Sequence, residues 1–156
     1  EASQQDLEKQ FKFIKTLRDK LTDIHVTIIQ IRQIKKKIDQ LKSQLAQKEN
    51  KDLINLAKKI KESLSNVEEA LYQTQNKSAQ DPLNFPIRLN NKIGHLNSLQ
   101  YGDFPPTKQA IAVRNELFRQ TDIELEKYKA IIEQDITNFN SLFTQKKMDV
   151  LWLDNK

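Results

Sequence analysis

Cysteine is absent from this chain of 156 residues, and glycine and proline are scarce, with two and four residues respectively. The absence of cysteine excludes disulfide scaffolds, thiolate metal sites and cysteine nucleophiles. The scarcity of glycine and proline argues against an all-β fold, which needs many turns. No run of about 18 apolar residues is present, so we expect no transmembrane segment. The residues that remain, rich in lysine, glutamine, leucine and isoleucine, are typical of long amphipathic helices.

Charge is unevenly placed along the chain, whose net charge is +5. Residues 1–61 hold 15 basic against 8 acidic residues, whereas residues 62–156 hold 11 against 13. A basic half suits an acidic partner or an anionic surface. The lysines alternate with Asp19, Asp23 and Asp39, however, which favours a solvated helix face. The five arginines are scattered and no nucleic-acid motif occurs, so we expect no nucleic-acid partner.

The first 47 residues carry a long apolar seam with spacings of three and four. This pattern predicts a helix over about residues 6–47, with one phase slip between Ile31 and Ile34. Four further residues widen the stripe beyond a two-helix seam, which indicates packing against several neighbours: Phe11, Phe13, Val26 and Ile29. The seam consists of Ile14, Leu17, Leu21, Ile24, Ile28, Ile31, Ile34, Ile38, Leu41 and Leu45.

Three further helices are predicted over about residues 51–76, 86–100 and 106–145, followed by an apolar tail, 146–156. Their inward residues recur every three or four positions. They are Leu53, Ala57, Ile60, Leu64, Val67, Leu71 and Thr74 on the second helix; Leu89, Ile93, Leu96 and Leu99 on the third; and Ala110, Val113, Leu117, Thr121, Leu125, Tyr128, Ile132, Asp135, Phe139 and Leu142 on the fourth. Asn50 is the expected N-cap of the second helix, and Gly102 the expected residue after the third, where a left-handed backbone favours glycine. Thr107 caps the fourth helix with Pro106 just outside, or Pro106 is its first residue. We therefore predict one domain, 1–156, an all-α antiparallel four-helix bundle of two long and two shorter helices. Such unequal lengths predict that part of the first or fourth helix overhangs.

The usual constellations for chemistry are missing from the sequence. His25 and His95 lack the Glu-x-x-His spacing of a di-metal bundle site, and no nucleophile elbow or phosphate loop occurs. Adjacent acids such as Glu68 and Glu69 point about 100° apart on a helix and are interpreted as solvated faces. We therefore predict no catalytic, metal or cofactor site.

Two polar features nevertheless stand out on apolar stretches. Asp135 falls on the inward stripe of the fourth helix, and a buried carboxylate needs a partner. A structural pairing of Arg88 with Asp135 or Asp103 is favoured over a ligand carboxylate held by Arg88. Asn90 and Asn91 compete for backbone hydrogen bonds within a helix. We expect at least one of these two side chains to hold a neighbouring loop, the alternative being a poor, exposed helix turn.

Two motifs precede the long last predicted helix: Phe85-Pro86-Ile87-Arg88-Leu89-Asn90-Asn91-Lys92 and Gly102-Asp103-Phe104-Pro105-Pro106-Thr107. Through these motifs the chain resembles the C-terminal helical domain of bacterial sortilin-like, BNR-repeat propeller proteins, which are often labelled glycosyl hydrolases. The likeness covers about residues 81–151. The resemblance implies an accessory domain of an exported protein, in the periplasm or at the cell surface. Any glycosidase chemistry of that family would lie in a β-propeller, and no strand-rich blade is present in this sequence.

The predicted function is accordingly non-enzymatic. We expect a helical accessory domain that packs against a β-propeller of the same parent protein, with no cofactor. One alternative is a self-associating coiled-coil adaptor, in which first-helix seams pair between two copies. Another is an anionic-surface binder that uses the basic residues 1–61.

Overall fold

The computed structural model describes residues 2–47, 50–78, 80–81 and 84–146. Across these ranges the secondary structure is helical and contains no β-strand, which confirms the all-α class and fits a four-helix bundle. The helices are α1 (Gln4–Gln47), α2 (Lys51–Leu71), α3 (Leu89–Ser98), α4 (Lys108–Ala130), a π-helical segment (Ile131–Ile136) and α5 (Thr137–Gln145). The apolar tail, apart from Lys146, lies outside the described residues.

Side-chain caps fix where two of the helices begin. Ser3 Oγ accepts a hydrogen bond from the Asp6 N–H at 3.2 Å and donates one to the Asp6 carboxylate at 2.7 Å, which starts α1. Thr107 Oγ1 accepts from the Ala110 N–H at 3.0 Å, so Thr107 is the N-cap of α4 and Pro106 lies just outside. Asn50 occupies the N-cap position of α2, but its side chain makes no capping hydrogen bond.

The inward stripes of α1 and α2 form most of the core. On α1 the buried apolar residues run from Phe13 to Leu45, so the helix is covered along nearly its whole length. On α2 they repeat every three or four residues, as the sequence predicts for one helix face. We call these α2 residues the α2 seam: Leu53, Ala57, Ile60, Leu64, Val67 and Leu71.

The contacts of α1 with α2 and with α4 differ in the order of their residue numbers. Arg32 of α1 pairs with Glu68 of α2, whereas the later Asp39 of α1 pairs with the earlier Lys61 of α2. Between α1 and α4, Lys20 meets Asp122 at 2.6 Å, and further along Gln30 accepts from the Tyr128 hydroxyl at 2.9 Å. The early part of α4 therefore lies beside the early part of α1.

Several residues predicted to face inward are exposed. Of the residues predicted to widen the α1 stripe, Phe13 is buried, whereas Phe11, Val26 and Ile29 lie at the surface. Val113 on α4 is exposed as well. Core residues of the last part of the chain include Ile131 in the π segment and Phe143 in α5. The π segment, which adds residues to a turn, shifts the inward face there relative to a regular heptad seam.

The second and third helices are shorter than predicted. Tyr72 has an extended backbone, with φ −139° and ψ 143°, and ends α2 five residues before the predicted limit of 76. The side chain of Gln73 bonds the backbone N–H of Gln75 and the carbonyl of Pro86, which stabilises a non-helical path. Gly102 has the expected positive φ of +94°, but it lies in a turn beyond α3 rather than next to its last residue.

Candidate functional site

A group of exposed apolar side chains lies where the start of α1 meets the turn after α3. Gln10 joins the two segments, because its side-chain amide donates hydrogen bonds to the carbonyl oxygens of Gln100, at 3.3 Å, and of Gly102. The exposed fractions are 67% for Phe11, 85% for Tyr101 and 76% for Phe104. We call the group the end cluster: Leu7, Phe11, Leu99, Tyr101 and Phe104.

The turn that carries the end cluster is fixed at several points. A Cβ on Gly102 would lie 3.5 Å from Cδ2 of Phe104, so the phenyl ring rests over the glycine. Gln10 holds the turn to α1, and Thr107 anchors its far end as the cap of α4. The rings of Tyr101 and Phe104 therefore lie on a turn that is fixed at both ends, and the ring of Phe11 lies on α1.

A second candidate is a cavity of about 560 Å³ where α2 ends and α3 begins, opposite the middle of α1. We call it the junction cavity. Every residue that lines it is polar or charged, which is unusual because ligand pockets are predominantly apolar. The lining comprises Arg32, Lys35, Ser65, Glu68, Glu69, Tyr72, Gln73, Thr74, Asn76, Asn90 and Asn91.

Glu68 is the central charge of the junction cavity, and only 4% of it is exposed. Its two carboxylate oxygens accept hydrogen bonds from Arg32 Nε at 2.7 Å and Lys35 Nζ at 3.0 Å. The Arg32 guanidinium also stacks on the ring of Tyr72, 5.1 Å from its centroid. Burial alone would raise the pKa of the Glu68 carboxyl. The hydrogen bonds and charges of Arg32 and Lys35 outweigh burial and lower that pKa below its ordinary value.

The interpretation of Glu68 as part of a solvated face was therefore wrong, whereas Glu69 is exposed as predicted. The angle of about 100° between adjacent helical residues explains the difference. Glu68 bonds Arg32 and Lys35 on α1, whereas Glu69 is an exposed residue in the lining of the junction cavity. Sequence reasoning also missed Arg32, Lys35 and Gln10. The burial of Glu68 could have been inferred only from its position next to Val67, a residue of the predicted α2 stripe.

The predicted pairing of Arg88 with an acid is wrong. Arg88 is the N-cap residue of α3, and its Nε is buried with no hydrogen-bond partner among the described residues. Asp135 instead lies in the π segment and pairs with Lys59 at 3.2 Å. Asp103 is an exposed residue of the turn. The polar residues singled out from the sequence therefore lie in three separate places: the start of α3, the turn before α4, and the π segment.

Asn90 and Asn91 line the junction cavity, and among the described residues neither side chain is seen to bond a neighbouring loop. Asn91 Oδ1 accepts from the Arg88 N–H at 3.4 Å, which tightens the first turn of α3. Asn90 Oδ1 is buried, and no hydrogen-bond partner for it occurs within the described ranges. The loop after α3 is held by Gln10 instead.

The described residues hold neither a metal-binding cluster nor a membrane-spanning helix. No cluster of three or more histidine, cysteine, aspartate or glutamate side chains there is arranged to hold a metal ion. Both histidines are exposed. Among the helices described, none has the length and apolar character needed to span a bilayer.

Comparison of the chain with protein-family models, curated proteins and solved structures found no match.

Proposed function

We propose that this chain is a non-catalytic helical interaction domain that docks through its end cluster onto a β-propeller of the same, exported parent protein. The observation that carries the proposal is the end cluster, in which three aromatic rings are more than half exposed around one tethered turn. The choice of a propeller as partner follows from the resemblance of the segments around Arg88 and Gly102 to the helical domain of sortilin-like, BNR-repeat proteins.

The chemistry of the end cluster suits a protein partner. Tyrosine and phenylalanine are enriched at the centres of interfaces, where they bury much area and lose little conformational entropy. Neighbouring apolar rings that stay in water are unfavourable unless a partner covers them. Gln10 and Gly102 hold the turn in place beforehand, which reduces the ordering that binding requires.

The rest of the bundle supports a scaffold role. We infer that α1 and α2 are antiparallel and that α4 runs parallel to α1, because of the order of the contacts between them. In this arrangement α2 and α3 follow one another along one side of the bundle. They hold 21 and 10 residues against 44 in α1, so they cover different parts of α1 without matching its length, and the overhang predicted from the helix lengths stays a prediction.

The two alternative functions have less support. The adaptor needs the α1 seam for a second copy, but that seam is buried within the chain from Leu17 to Leu45. The anionic-surface binder needs unpaired cations in residues 1–61. Several of them are engaged by carboxylates instead, including Lys15, Lys20, Arg32, Lys35 and Lys61.

The test begins with the complete open reading frame, which should encode a strand-rich region that can be produced separately. Calorimetric titration of that region with this chain should give saturable binding. Replacing both Tyr101 and Phe104 by serine should weaken binding at least about tenfold, because hot-spot aromatics each contribute about 2 kcal/mol or more.

The matched control is Val113→Ser, which alters an exposed apolar residue on α4. It should leave the affinity unchanged. A reading frame without a strand-rich region, or equal affinities for the double variant and the control, would overturn the proposal.

A further inference from the structure

The junction cavity has a composition that selects a polar ligand. Its lining contains no aliphatic side chain. An apolar ligand would therefore leave amides and charges without hydrogen bonds, at the full penalty for desolvating each group. Its volume of about 560 Å³ lies within the range of small-molecule sites, about 300–1,000 Å³.

The charges of the cavity are balanced overall, with two cations and two carboxylates in its lining. Arg32 and Lys35 belong to α1, whereas Glu68 and Glu69 belong to α2. Glu68 is occupied by both cations, so the group of three carries one net positive charge. Glu69 is exposed and forms no ion pair with any residue that the structure describes. The cavity thus combines a surplus positive charge with a separate, unpaired negative one.

The positive side retains donors for a carboxylate. Arg32 uses only Nε in its bond to Glu68, and 54% of its side chain is exposed. The remaining guanidinium N–H groups form a planar fork that matches a carboxylate. A ligand carboxylate at Arg32 and a ligand ammonium at Glu69 together satisfy both charges.

We propose that the junction cavity binds a zwitterionic small molecule of the free amino acid class, with its carboxylate at Arg32 and its ammonium group at Glu69. The amides of Asn90 and Asn91, on the first turn of α3, complete the wall of the cavity. Because an amide both donates and accepts hydrogen bonds, these two residues favour a ligand with a polar side chain.

The first experiment varies the ligand and leaves the protein unchanged. L-Glutamine is titrated into the ¹⁵N-labelled chain while the side-chain amide signals of Asn90 and Asn91 are followed. N-acetyl-L-glutamine, which lacks the ammonium charge, and glutaminamide, which lacks the carboxylate, are titrated in parallel. Saturable shifts are expected with L-glutamine, and each blocked compound should bind at least about tenfold more weakly, the loss expected for one charge-assisted contact.

The second experiment varies the protein. Glu69→Gln removes the unpaired carboxylate and should weaken L-glutamine binding about tenfold. It should not strengthen the binding of glutaminamide, because glutaminamide keeps the ammonium group. The control is Glu62→Gln, the same change at an exposed position two turns earlier on α2, which should bind as the unaltered chain does.

Four results would overturn the proposal. The first is that L-glutamine gives no saturable shift, and the second is that the blocked compounds bind as tightly as L-glutamine. The third is that Glu69→Gln and Glu62→Gln weaken binding equally. The fourth is that, when a neutral disaccharide and inorganic phosphate are titrated in the same way, only they produce shifts. Because Glu69 is exposed and unpaired within the described chain, both variants are expected to fold, and circular dichroism verifies this.

Discussion

The α2 seam and the end cluster use similar apolar side chains for opposite purposes. Along the seam, Leu53, Ile60 and Leu64 are completely buried, whereas Tyr101 and Phe104 in the end cluster are exposed by 85% and 76%. The seam belongs to a regular helical repeat, whereas Tyr101 and Phe104 belong to a segment broken by glycine and proline. The comparison indicates that the apolar residues buried along the helical repeat stabilise the fold and that those exposed in the broken segment contribute little to it.

The largest effect expected from this comparison is on stability. Leu64→Ala should lower the free energy of unfolding by about 2–5 kcal/mol, because it removes buried methyl groups and leaves a cavity. Phe104→Ala removes a larger side chain but should change stability by no more than about 0.5 kcal/mol, as for most surface substitutions. Denaturant unfolding of both variants measures the two values, and similar losses would contradict the division into seam and cluster.

A smaller, pH-dependent effect is expected at Glu68, the polar residue at the end of the seam. Because its pKa is lowered on folding from the ordinary value of 4.5, its contribution is complete above that value. It is lost as the pH falls through the lower, folded-state pKa, since the unfolded chain then binds the proton more readily. Glu68→Gln should lower stability at neutral pH by about 1–3 kcal/mol and should flatten the loss of stability in acid.

Urea unfolding in neutral and acidic buffers measures this dependence. Glu69→Gln is the control, because it makes the same change at the next residue, which is exposed. If the two variants had the same acid dependence, the bonds from Arg32 and Lys35 would not stabilise the fold.

The smallest effect separates the two glycines. Gly102, with φ +94°, lies in the left-handed region, where an L residue is disfavoured by about 1–2 kcal/mol. Gly102→Ala should therefore destabilise the chain by about that amount. Gly94→Ala should stabilise it by about 0.5–1 kcal/mol, because Gly94 lies within α3 and no atom approaches its Cβ position within 4 Å. Thermal unfolding compares the two, and a loss at both positions would contradict this assignment.

The sequence was sufficient for those parts of the fold that depend on local repetition. Most residues of the α1 and α2 stripes were predicted, because burial of one face imposes a spacing that is visible in the chain. Thr74 was assigned to the α2 stripe but is exposed, because α2 ends at Leu71. Leu99 was assigned to the same kind of stripe but is exposed, because α3 ends one residue earlier, at Ser98.

The candidate sites were largely beyond sequence reasoning, because they join distant segments. Arg32 and Glu68 are separated by 36 positions, and Gln10 and Gly102 by 92. No local pattern marks one lysine or glutamine among many as the one that meets a particular acid or carbonyl. The unusual pair Asn90 and Asn91 did indicate a special position, although the role expected of it, holding a loop, belongs to Gln10.

The π segment, Ile131–Ile136, has a consequence for how residues 108–145 are compared with other helical chains. A π turn bonds residue i to residue i+5, so it contains more residues than an α turn. A single heptad frame laid over residues 108–145 therefore loses phase inside this segment. Alignments that introduce a one-residue gap between Ala130 and Thr137 will keep Leu117 and Phe143 in equivalent core columns, whereas ungapped coiled-coil templates will not.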